Sequence, residues 1–323
     1  MPSDAHLLLL DAPTVEALLD SASALGAVRE AFELHSLEAG RTFPIVRERL
    51  LSGAVFGIKS GDVPSQGLLG FKAAGFWPAN RQRGGEPHQA TILLFDPETG
   101  RPRCVIDGNV VTTLRTGAAG ALGLIYLARP DSARLCVFGT GVQAAVQVDF
   151  ALQVMDGIKQ VRYVASHGGA DAAFEKRFAD RCDIAPASDL NAAVAESDIV
   201  ITATPGRGPL FDANAVRPGT HLNCVGADTR GKRELPEGLL SRVRLIVDDR
   251  TQASQIGEMQ WAPSTPCTEL GDFITGKTDL ERQATDVTVF DMTGLALQDL
   301  TVARLLFERA ETSGHGVRVS WPW

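Results

Sequence analysis

The chain has 323 residues, of which 44% are hydrophobic and 22% are charged, and its net charge is −8 at pH 7. This length predicts two domains, because single hydrophobic cores stop growing at roughly 250–300 residues. The acidic balance, without any run of five or more Lys or Arg residues, argues against a protein that binds nucleic acid or an anionic membrane.

The N-terminus carries four leucines, Leu7–Leu10, without a basic segment before them. They predict a short strand rather than a signal peptide, and no apolar run reaches the roughly 18 residues of a membrane-spanning helix. The cysteines are scattered without any C-x-x-C pair, which is typical of reduced thiols and predicts no zinc site. They are Cys104, Cys136, Cys182, Cys224 and Cys267. We therefore expect a cytoplasmic protein without a bound metal.

The first third of the chain shows two different hydrophobic periods. From residue 12 to about residue 38, apolar residues recur at helical spacing behind Asp11, a residue type that commonly caps helices. From residue 45 to about residue 106, short β-type runs are broken by turn residues, most clearly at Asp96–Gly100. The second region predicts an antiparallel sheet.

The run Leu68–Trp77, LLGFKAAGFW, is apolar except for Lys72. In a strand, Lys72 shares its face with Gly70 and Ala74, whose small size leaves space around the ammonium. A buried charge without a partner is strongly unfavourable, so an anion must meet it. No acid occurs from Val63 to Gly85, which favours a ligand anion. The alternative is an acid from a distant segment.

The rest of the chain predicts a second domain. Residues 108–128 combine hydroxyl groups with many small side chains and predict a helix that links two domains. Beyond Pro130, short apolar runs alternate with helical segments, which predicts a doubly wound parallel sheet. We expect an α/β fold with a Rossmann-type domain at 116–299. An α+β substrate and dimerisation domain comprises 1–115 and is joined by 300–323.

The dinucleotide signature G-x-G-x-x-A occurs at Gly139–Ala144, after a predicted strand and at the start of a predicted helix. The glycines permit a tight turn and a close approach of the backbone to a pyrophosphate, which the helix N-terminus attracts. An NAD-binding fold usually has an acid after its second strand, whereas this chain has Ser166 and His167. The expected cofactor is NAD(P)H, with a slight preference for NADP.

Three cations and one acid are candidates for a substrate site. The cations are Arg47, Lys72 and Arg115. Arg115 lies near the start of the linking helix, where the helix dipole favours anions. Asp228 follows a predicted strand at the edge where open α/β sheets bind ligands, and a carboxylate there would stabilise a protonated imine. A hydroxy-acid dehydrogenase would more naturally use a histidine, and only His88 and His221 lie near these segments.

Several motifs together resemble the ornithine cyclodeaminase and μ-crystallin family. They are Arg47, GFK at 70–72, LRTGAAGAL at 114–122, FGTGVQAA at 138–145, PGTHLNCVGAD at 218–228 with Lys232 and Glu234, IGE at 256–258 and TGLALQD at 293–299. The resemblance covers nearly the whole chain. It implies a Rossmann domain beside a substrate-binding and dimerisation domain, usually in a homodimer. It also implies an NAD(P)-dependent oxidoreductase that acts on CH–NH or CH–NH2 groups.

The resemblance implies roles for individual residues. Arg47, Lys72 and Arg115 match positions that hold the substrate carboxylate, and Lys72 is also a candidate proton carrier. Asp228 matches the acid beside the substrate nitrogen. With the glycine turn and the end of the second strand included, the expected cofactor contacts are Arg115, Thr116, Gly139, Thr140, Gly141, Val142, Gln143, Ser166, His167, Thr204, Asp228, Lys232 and Thr293.

One segment departs from the common pattern of the family. Where many members have G-L-P-[ST], this chain has Trp77–Asn80 followed by Pro87–Thr91, which resembles the branch that reduces iminosuccinate to aspartate. A second substrate carboxylate needs a second polar clamp, for which His88, Gln89 and Asn80 are candidates. We therefore expect iminosuccinate reduction. The alternatives are ornithine cyclodeaminase-type cyclisation, cyclic ketimine reduction, alanine dehydrogenation, or a binding protein without turnover.

Overall fold

Residues 5–166, 168–279 and 281–322 are described by the structure, a computed structural model. The chain divides into two units: unit 1 comprises Met1–Arg115 with Leu295–Trp323, and unit 2 comprises Thr116–Gly294. The sequence places the second boundary at 299/300, whereas the units meet at 294/295. The long C-terminal helix therefore lies whole within unit 1.

The described residues form strands and helices throughout both units. The strands are β1 (His6–Leu10), β2 (Arg41–Thr42), β3 (Val46–Arg49), β4 (Val55–Val63), β5 (Leu68–Phe76), β6 (His88–Phe95), β7 (Pro102–Asp107), β8 (Arg134–Phe138), β9 (Gln160–Val164), β10 (Asp183–Pro186), β11 (Ile199–Thr202), β12 (His221–Cys224), β13 (Arg244–Val247), β14 (Cys267–Glu269), β15 (Thr288–Asp291) and β16 (Val317–Ser320). The α-helices are α1 (Ala12–Leu18), α2 (Ser21–Ser36), α3 (Gly108–Leu127), α4 (Val142–Val154), α5 (Ala172–Phe178), α6 (Leu190–Ala195), α7 (Arg250–Ile256), α8 (Leu270–Ile274) and α9 (Ala296–Ser313).

The helix predicted for residues 12–38 is two helices, α1 and α2. The side chain of Asp11 accepts a hydrogen bond from Thr14 N and caps α1, as expected. The side chain of Asp20 accepts from Ser23 N and caps α2 in the same way. The prediction of one helix was wrong because a helical apolar period does not reveal that a second N-cap interrupts it.

The sheet of unit 1 has the order β16-β1-β7-β6-β5-β4-β2, with β3 also paired to β4. Strands β3 to β7 pair antiparallel, which confirms the sequence prediction for this region. Strand β1 joins β7 in parallel, and β16 pairs antiparallel with β1. The first and last strands of the chain therefore complete one sheet.

Helix α9 packs against one face of this sheet at Gly70 of β5, and also against Gly40, which immediately precedes β2. A Cβ at Gly70 would lie 2.9 Å from Leu300 Cδ2, and one at Gly40 would lie 2.9 Å from Leu297 Cδ1. A Cβ at either position would therefore require Leu300 or Leu297 to shift. The close approach places the polar residue Asp299, on the intervening turn of α9, within reach of β5.

Helix α3 begins in unit 1 and continues into unit 2. Its start lies against the same sheet face, since a Cβ at Gly108 would come 2.8 Å from Ala90 Cβ. By length and apolar composition it passes for a membrane-spanning helix, but 67% of that window is buried within the protein. Such burial is typical of the core helix of a globular protein.

The sheet of unit 2 has the order β10-β9-β8-β11-β12-β15-β13-β14, and its pairs are parallel. The chain starts at β8, winds outward to β10, and then returns to wind the other way from β11. Hydrophobic clusters cover both faces of the sheet, one containing Tyr163 and Val148, the other Phe138 and Leu222. This confirms the expected α/β fold with a doubly wound parallel sheet.

Candidate active site

Lys72 is buried in unit 1 with a counter-charge that comes from far along the chain. Its side chain is 5% exposed, and its Nζ lies 2.7 Å from Asp299 Oδ1. The ammonium also donates to Thr112 Oγ1 at 3.2 Å. The sequence left open whether a ligand anion or an acid of the protein meets Lys72. The structure shows an acid of the protein, Asp299, which lies 227 residues after Lys72 in the chain.

Arg115 joins the same cluster from the end of the second turn of helix α3, which begins at Gly108. The prediction that the helix dipole favours an anion at Arg115 was wrong, because that effect is confined to the first turn. Its Nε lies 3.2 Å from Asp299 Oδ1, and its terminal nitrogen donates to Gln298 Oε1 at 3.1 Å. Asp299 Oδ2 is buried and accepts no hydrogen bond, and Gln298 Nε2 is buried and donates none. Sequence reasoning assigned no role to Asp299 or Gln298, although both lie in the TGLALQD motif.

The charges of this cluster shift one another's proton affinities. Burial, followed by the charge of Arg115, lowers the pKa of Lys72 to about 7, against the opposing attraction of Asp299. Burial acts to raise the pKa of Asp299, but Lys72 and Arg115 outweigh it, so the pKa lies below its ordinary value. Asp299 is therefore ionised at neutral pH, whereas Lys72 is only partly protonated at that pH and can take up or release a proton.

Arg47 lies on the same sheet face as Lys72. Strand pairing places Arg47 opposite Gly57, Gly57 opposite Ala74, and Ala74 opposite Ala90. Directly paired residues share a face, and Ala74 is two residues from Lys72. The row of Arg47 therefore contains small residues and lies on the face that carries the Lys72 ammonium.

The candidates for a second clamp are arranged differently from one another. His88 lies on the face of Lys72, two residues from Ala90, and its Nδ1 is 3.1 Å from Asn109 Oδ1. The side-chain amides of Asn80 and Gln89 both donate to the carbonyl of Glu86, at 3.1 and 2.9 Å. These two amides hold the loop between β5 and β6, and Gln89 points away from the face that carries His88.

His221 has a structural role in the interior of unit 2. It is fully buried, its Nδ1 lies 2.8 Å from Thr288 Oγ1, and its Nε2 lies 2.9 Å from Asn223 Oδ1. The amide of Asn223 in turn donates to Gly120 O in helix α3. Burial lowers the pKa of His221 to about 3, so the ring is neutral and links the sheet to α3.

The glycine turn after β8 has the geometry that a dinucleotide needs. Gly139 has φ +110°, and a Cβ there would lie 2.7 Å from Ala203 O, so this position requires glycine. A Cβ at Gly141 would meet nothing within 4 Å, which leaves open space above the turn. Helix α4 starts at Val142, with Gln143 beside it, and presents its first N–H groups to this space.

These two glycines make a matched pair of predictions. Gly141→Ala fits the fold because φ is −78° and the space is open, so the melting temperature should stay unchanged. The added methyl group should nevertheless weaken NADH and NADPH binding, measured by fluorescence titration. Gly139→Ala should lower stability by about 1–3 kcal/mol because of its backbone conformation. Unchanged dinucleotide affinity in Gly141→Ala would show that the turn does not contact the cofactor.

The other expected cofactor residues follow the carboxyl ends of parallel strands in unit 2. Thr140 is in the glycine turn after β8, Ser166 follows β9 and is exposed, and Thr204 follows β11. His167 lies outside the described residues. The carboxyl ends of parallel strands meet at one edge of the sheet, so these residues share the edge at which such folds bind ligands.

Asp228 and Thr293 lie at the same edge. Asp228 Oδ1 is 2.7 Å from Lys232 Nζ, in a loop after β12 where both side chains are partly exposed. Thr293 follows β15, and its N and Oγ1 both donate to Asp248 at 2.7 Å. Arg115 and Thr116 are consecutive in α3, and the carbonyl of Thr116 accepts from Gln147 at 2.7 Å.

A buried acid, Glu234, fixes the loop that carries Asp228. Its carboxylate accepts hydrogen bonds from Thr202 Oγ1 at 2.7 Å, from Thr204 N at 2.7 Å and from Gly226 N at 2.9 Å. Its own backbone N–H donates to Glu258 Oε1 at 2.6 Å. The family motif contains both glutamates, but their contacts could not be inferred from the sequence.

Burial raises the pKa of Glu258 to about 8 and that of Asp291 to about 7. The ordinary pKa of a glutamate is 4.5, so between pH 4.5 and about pH 8 Glu258 is more protonated in the native state than in the unfolded chain. Stability must fall as pH rises through this window, by at most about 1.4 kcal/mol per pH unit for one group.

Glu258→Gln should reduce this pH dependence. Glutamine still accepts from Glu234 N but cannot ionise, so chemical unfolding midpoints at pH 5.5 and pH 8 should become more alike. The exposed acid substitution Glu237→Gln is the control and should leave the wild-type difference intact. An equal pH dependence in Glu258→Gln and the wild type would contradict the assignment.

The chain is similar to proteins of known activity over nearly its whole length. Residues 6–314 match the profile of the ornithine cyclodeaminase/mu-crystallin family. An alanine dehydrogenase from Archaeoglobus fulgidus is 33% identical, over 97% of this chain and 98% of the relative. An iminosuccinate reductase from Paracoccus denitrificans is also 33% identical, over 95% of this chain and 98% of the relative.

Solved structures agree with these matches. An archaeal alanine dehydrogenase dimer with bound NAD has a TM-score of 0.92 at 32% identity, covering 98% of this chain and 100% of that chain. The Paracoccus denitrificans iminosuccinate reductase in complex with NAD+ has a TM-score of 0.90 at 32% identity, with the same coverage. The Thermococcus litoralis Δ1-pyrroline-2-carboxylate reductase with NADH and L-proline has a TM-score of 0.88 at 27% identity, covering 97% and 100%.

Proposed function

The chain belongs to the ornithine cyclodeaminase/mu-crystallin family, and from that premise we propose that it reduces iminosuccinate to L-aspartate with NAD(P)H. Its relatives are named reductases and dehydrogenases, and it is an NAD-dependent oxidoreductase. The observation that carries the choice of substrate is the cationic sheet face of unit 1. There Lys72 and Arg115 share one carboxylate, Asp299, and Arg47 adds a further positive charge.

Arg47, Lys72 and Arg115 are the proposed binding groups for the substrate carboxylate. A guanidinium binds a carboxylate through two parallel hydrogen bonds, whereas an ammonium acts as a point charge. Asp299 and Thr112 fix the position of the Lys72 ammonium. An α-imino acid anchored in this way keeps its carboxylate in one place while the adjacent carbon reacts.

Two groups are proposed to handle protons and charge. Lys72 has a pKa of about 7 and can give or take a proton near neutral pH. Asp228 is the proposed acid that balances the positive charge of the protonated imine, because a fixed carboxylate lowers the energy of a cationic carbon–nitrogen centre. In this structure Lys232 holds Asp228 at 2.7 Å.

The residues of unit 2 fit a dinucleotide. When bound, a reduced nicotinamide supplies the hydride equivalent. Gly139, Gly141 and the start of α4 are proposed to hold the pyrophosphate, because the turn is open and its N–H groups are oriented. The proposed further contacts in unit 2 are Thr116, Thr140, Val142, Gln143, Ser166, Thr204, Lys232 and Thr293. Arg115 of unit 1 remains a proposed contact as well. The structures of two relatives are described with NAD+ or NADH, whereas the sequence after the second strand slightly favours NADP. The test therefore includes both NADH and NADPH.

Iminosuccinate is preferred over other imino acids because a dicarboxylate suits a sheet face that carries Arg47, Lys72 and Arg115 together. Relatives of similar identity include an alanine dehydrogenase, so identity alone does not select the substrate. His88 lies on the same sheet face and remains a proposed contact of the second carboxylate, with Asn80 and Gln89 supporting its loop. We also propose a homodimer, because an archaeal alanine dehydrogenase relative is described as a dimer.

The test follows NADH and NADPH oxidation with oxaloacetate plus ammonia, and with pyruvate plus ammonia. The highest kcat/KM is expected with oxaloacetate plus ammonia, with aspartate as the product identified by chromatography. Oxaloacetate without ammonia is the control for reduction of the ketone. Absence of ammonia-dependent oxidation would refute the iminosuccinate proposal, and conversion of ornithine to proline without added reductant would indicate a cyclodeaminase instead.

A further inference from the structure

Two consecutive residues of α9, Gln298 and Asp299, hold the guanidinium of Arg115. The terminal nitrogen Nη1 of Arg115 donates to Gln298 Oε1 at 3.1 Å, and its Nε lies 3.2 Å from Asp299 Oδ1. Within the part of the chain that the structure describes, these are the side-chain partners of Arg115. A guanidinium is planar, so contacts at two of its nitrogens fix the plane of the group and the direction of its remaining N–H donors.

The position of Gln298 is itself fixed by the packing of α9. Gln298 is fully buried, and it lies between Leu297 and Leu300, which closely approach Gly40 and Gly70. These contacts hold α9 against the sheet of unit 1, so the side chain of Gln298 starts from a defined position. Because a guanidinium can only donate, the amide must turn its oxygen to Arg115 and its nitrogen away.

The amide of Gln298 is not the choice that favours stability most. Its Nε2 is buried and donates no hydrogen bond. A buried donor without an acceptor is unfavourable, and an apolar side chain of the same size avoids that cost. Without the amide, Arg115 would still have Asp299, and its side chain is 12% exposed, so water can reach it. The fold alone therefore does not require an amide at this position.

A ligand carboxylate gives the amide a function. Arg115 is a proposed contact of the substrate carboxylate, and a guanidinium binds a carboxylate best when two of its N–H groups lie in the plane of both oxygens. We propose that Gln298 is a positioning residue, which orients Arg115 so that its remaining N–H groups meet the substrate carboxylate. This inference rests on the proposed function and deepens it, because it assigns part of substrate binding to a residue that acts through Arg115.

Gln298→Met tests the role of the amide, because methionine has a similar size and cannot accept from Arg115. KM for the imine formed from oxaloacetate and ammonia should rise roughly tenfold, as for loss of one charge-assisted hydrogen bond. The value of kcat should stay unchanged, since Lys72 and Asp228 are intact. The melting temperature should not fall, because a buried donor without an acceptor is removed.

Gln153→Met, on the exposed surface of α4, is the matched control and should behave as the wild type. An unchanged KM in Gln298→Met would overturn the inference. A joint fall of kcat and of the melting temperature in that variant would indicate a structural glutamine and would overturn it too.

A double-mutant cycle tests whether Gln298 acts through Arg115. Arg115→Met alone should raise KM, and the addition of Gln298→Met should raise it no further. In Arg115→Met the buried pair of Lys72 and Asp299 is retained, so the variant should stay folded. Additive effects on KM would show that Gln298 acts independently of Arg115, which is contrary to the inference.

A binding measurement separates this inference from the proposed function. L-lactate and L-aspartate, which each carry a carboxylate beside a substituted carbon, should raise the melting temperature of the NAD-saturated wild type more than that of NAD-saturated Gln298→Met. If this difference is found but no imine is reduced, the proposed function fails and the role of Gln298 stands. If neither carboxylate stabilises the wild type more than the variant, the role of Gln298 is refuted, whatever the imine assay shows.

Discussion

Lys72→Ala is expected to lower kcat/KM for oxaloacetate plus ammonia by at least about a hundredfold, the usual effect of removing a proton-transferring group. The substitution removes both a carboxylate contact and a group with a pKa of about 7. Dinucleotide affinity should be unchanged, because the glycine turn and its helix lie in unit 2. Steady-state kinetics and fluorescence titration with NADH measure the two quantities separately.

A second substitution distinguishes function from folding at this position. Lys72→Met keeps an apolar stem on the buried face, and Asp299 retains Arg115 as its partner. The variant should therefore remain folded and inactive. Lys176→Ala, on the exposed surface of α5, is the matched control and should behave as the wild type. Equal losses of catalytic efficiency and of NADH affinity in Lys72→Met would instead indicate a structural lysine.

Asp299→Asn should have a large effect on both stability and pH dependence. Removal of one partner from a buried ion pair costs about 3–5 kcal/mol, because the remaining cations lose their counter-charge. Asp299 is 1% exposed and lies 2.7 Å from Lys72 Nζ, so water cannot replace it without rearrangement. Chemical unfolding of the variant and the wild type at pH 7 gives the difference in stability.

The direction of the pH effect follows from the charges. Asp299 stabilises the ammonium of Lys72 and keeps its pKa from falling below about 7. Without the carboxylate, Lys72 loses its proton at lower pH, so a rate that requires the ammonium should decline at lower pH than in the wild type. Asp62→Asn, which breaks an ion pair with the exposed Arg41 on the other sheet face, is the control. An unchanged pH profile in Asp299→Asn would contradict this coupling.

Much of the fold follows from local sequence patterns. The alternation of short apolar strands and helices after Pro130 specifies the parallel sheet, because each strand must be buried on both faces. The signature at Gly139–Ala144 specifies its own geometry, since only glycine tolerates φ +110° beside Ala203 O. The sequence pattern does not reveal the break between α1 and α2, because the capping residue Asp20 cannot be distinguished from a polar residue on the surface of one long helix.

The site was predicted less completely, for a different physical reason. The unusual position of Lys72 is visible in its own strand, where small neighbours surround a charge. Its partner Asp299 could not be identified from spacing, because tertiary packing of α9 against Gly70 brings the two together. The contacts of Glu234 and Glu258 were likewise hidden, since hydrogen bonds between loops leave no periodic signal.

The discontinuity of unit 1 has a consequence for biosynthesis. Lys72 leaves the ribosome 227 residues before Asp299 does, which at roughly 5–20 residues per second is a delay of about 10–45 s. Unit 2 is a continuous segment that is synthesised entirely within this interval. While unit 2 is being synthesised, Lys72 and Arg115 therefore lack their buried partner Asp299. Unit 1 becomes complete only when α9 has delivered the Asp299 carboxylate and β16 has paired with β1.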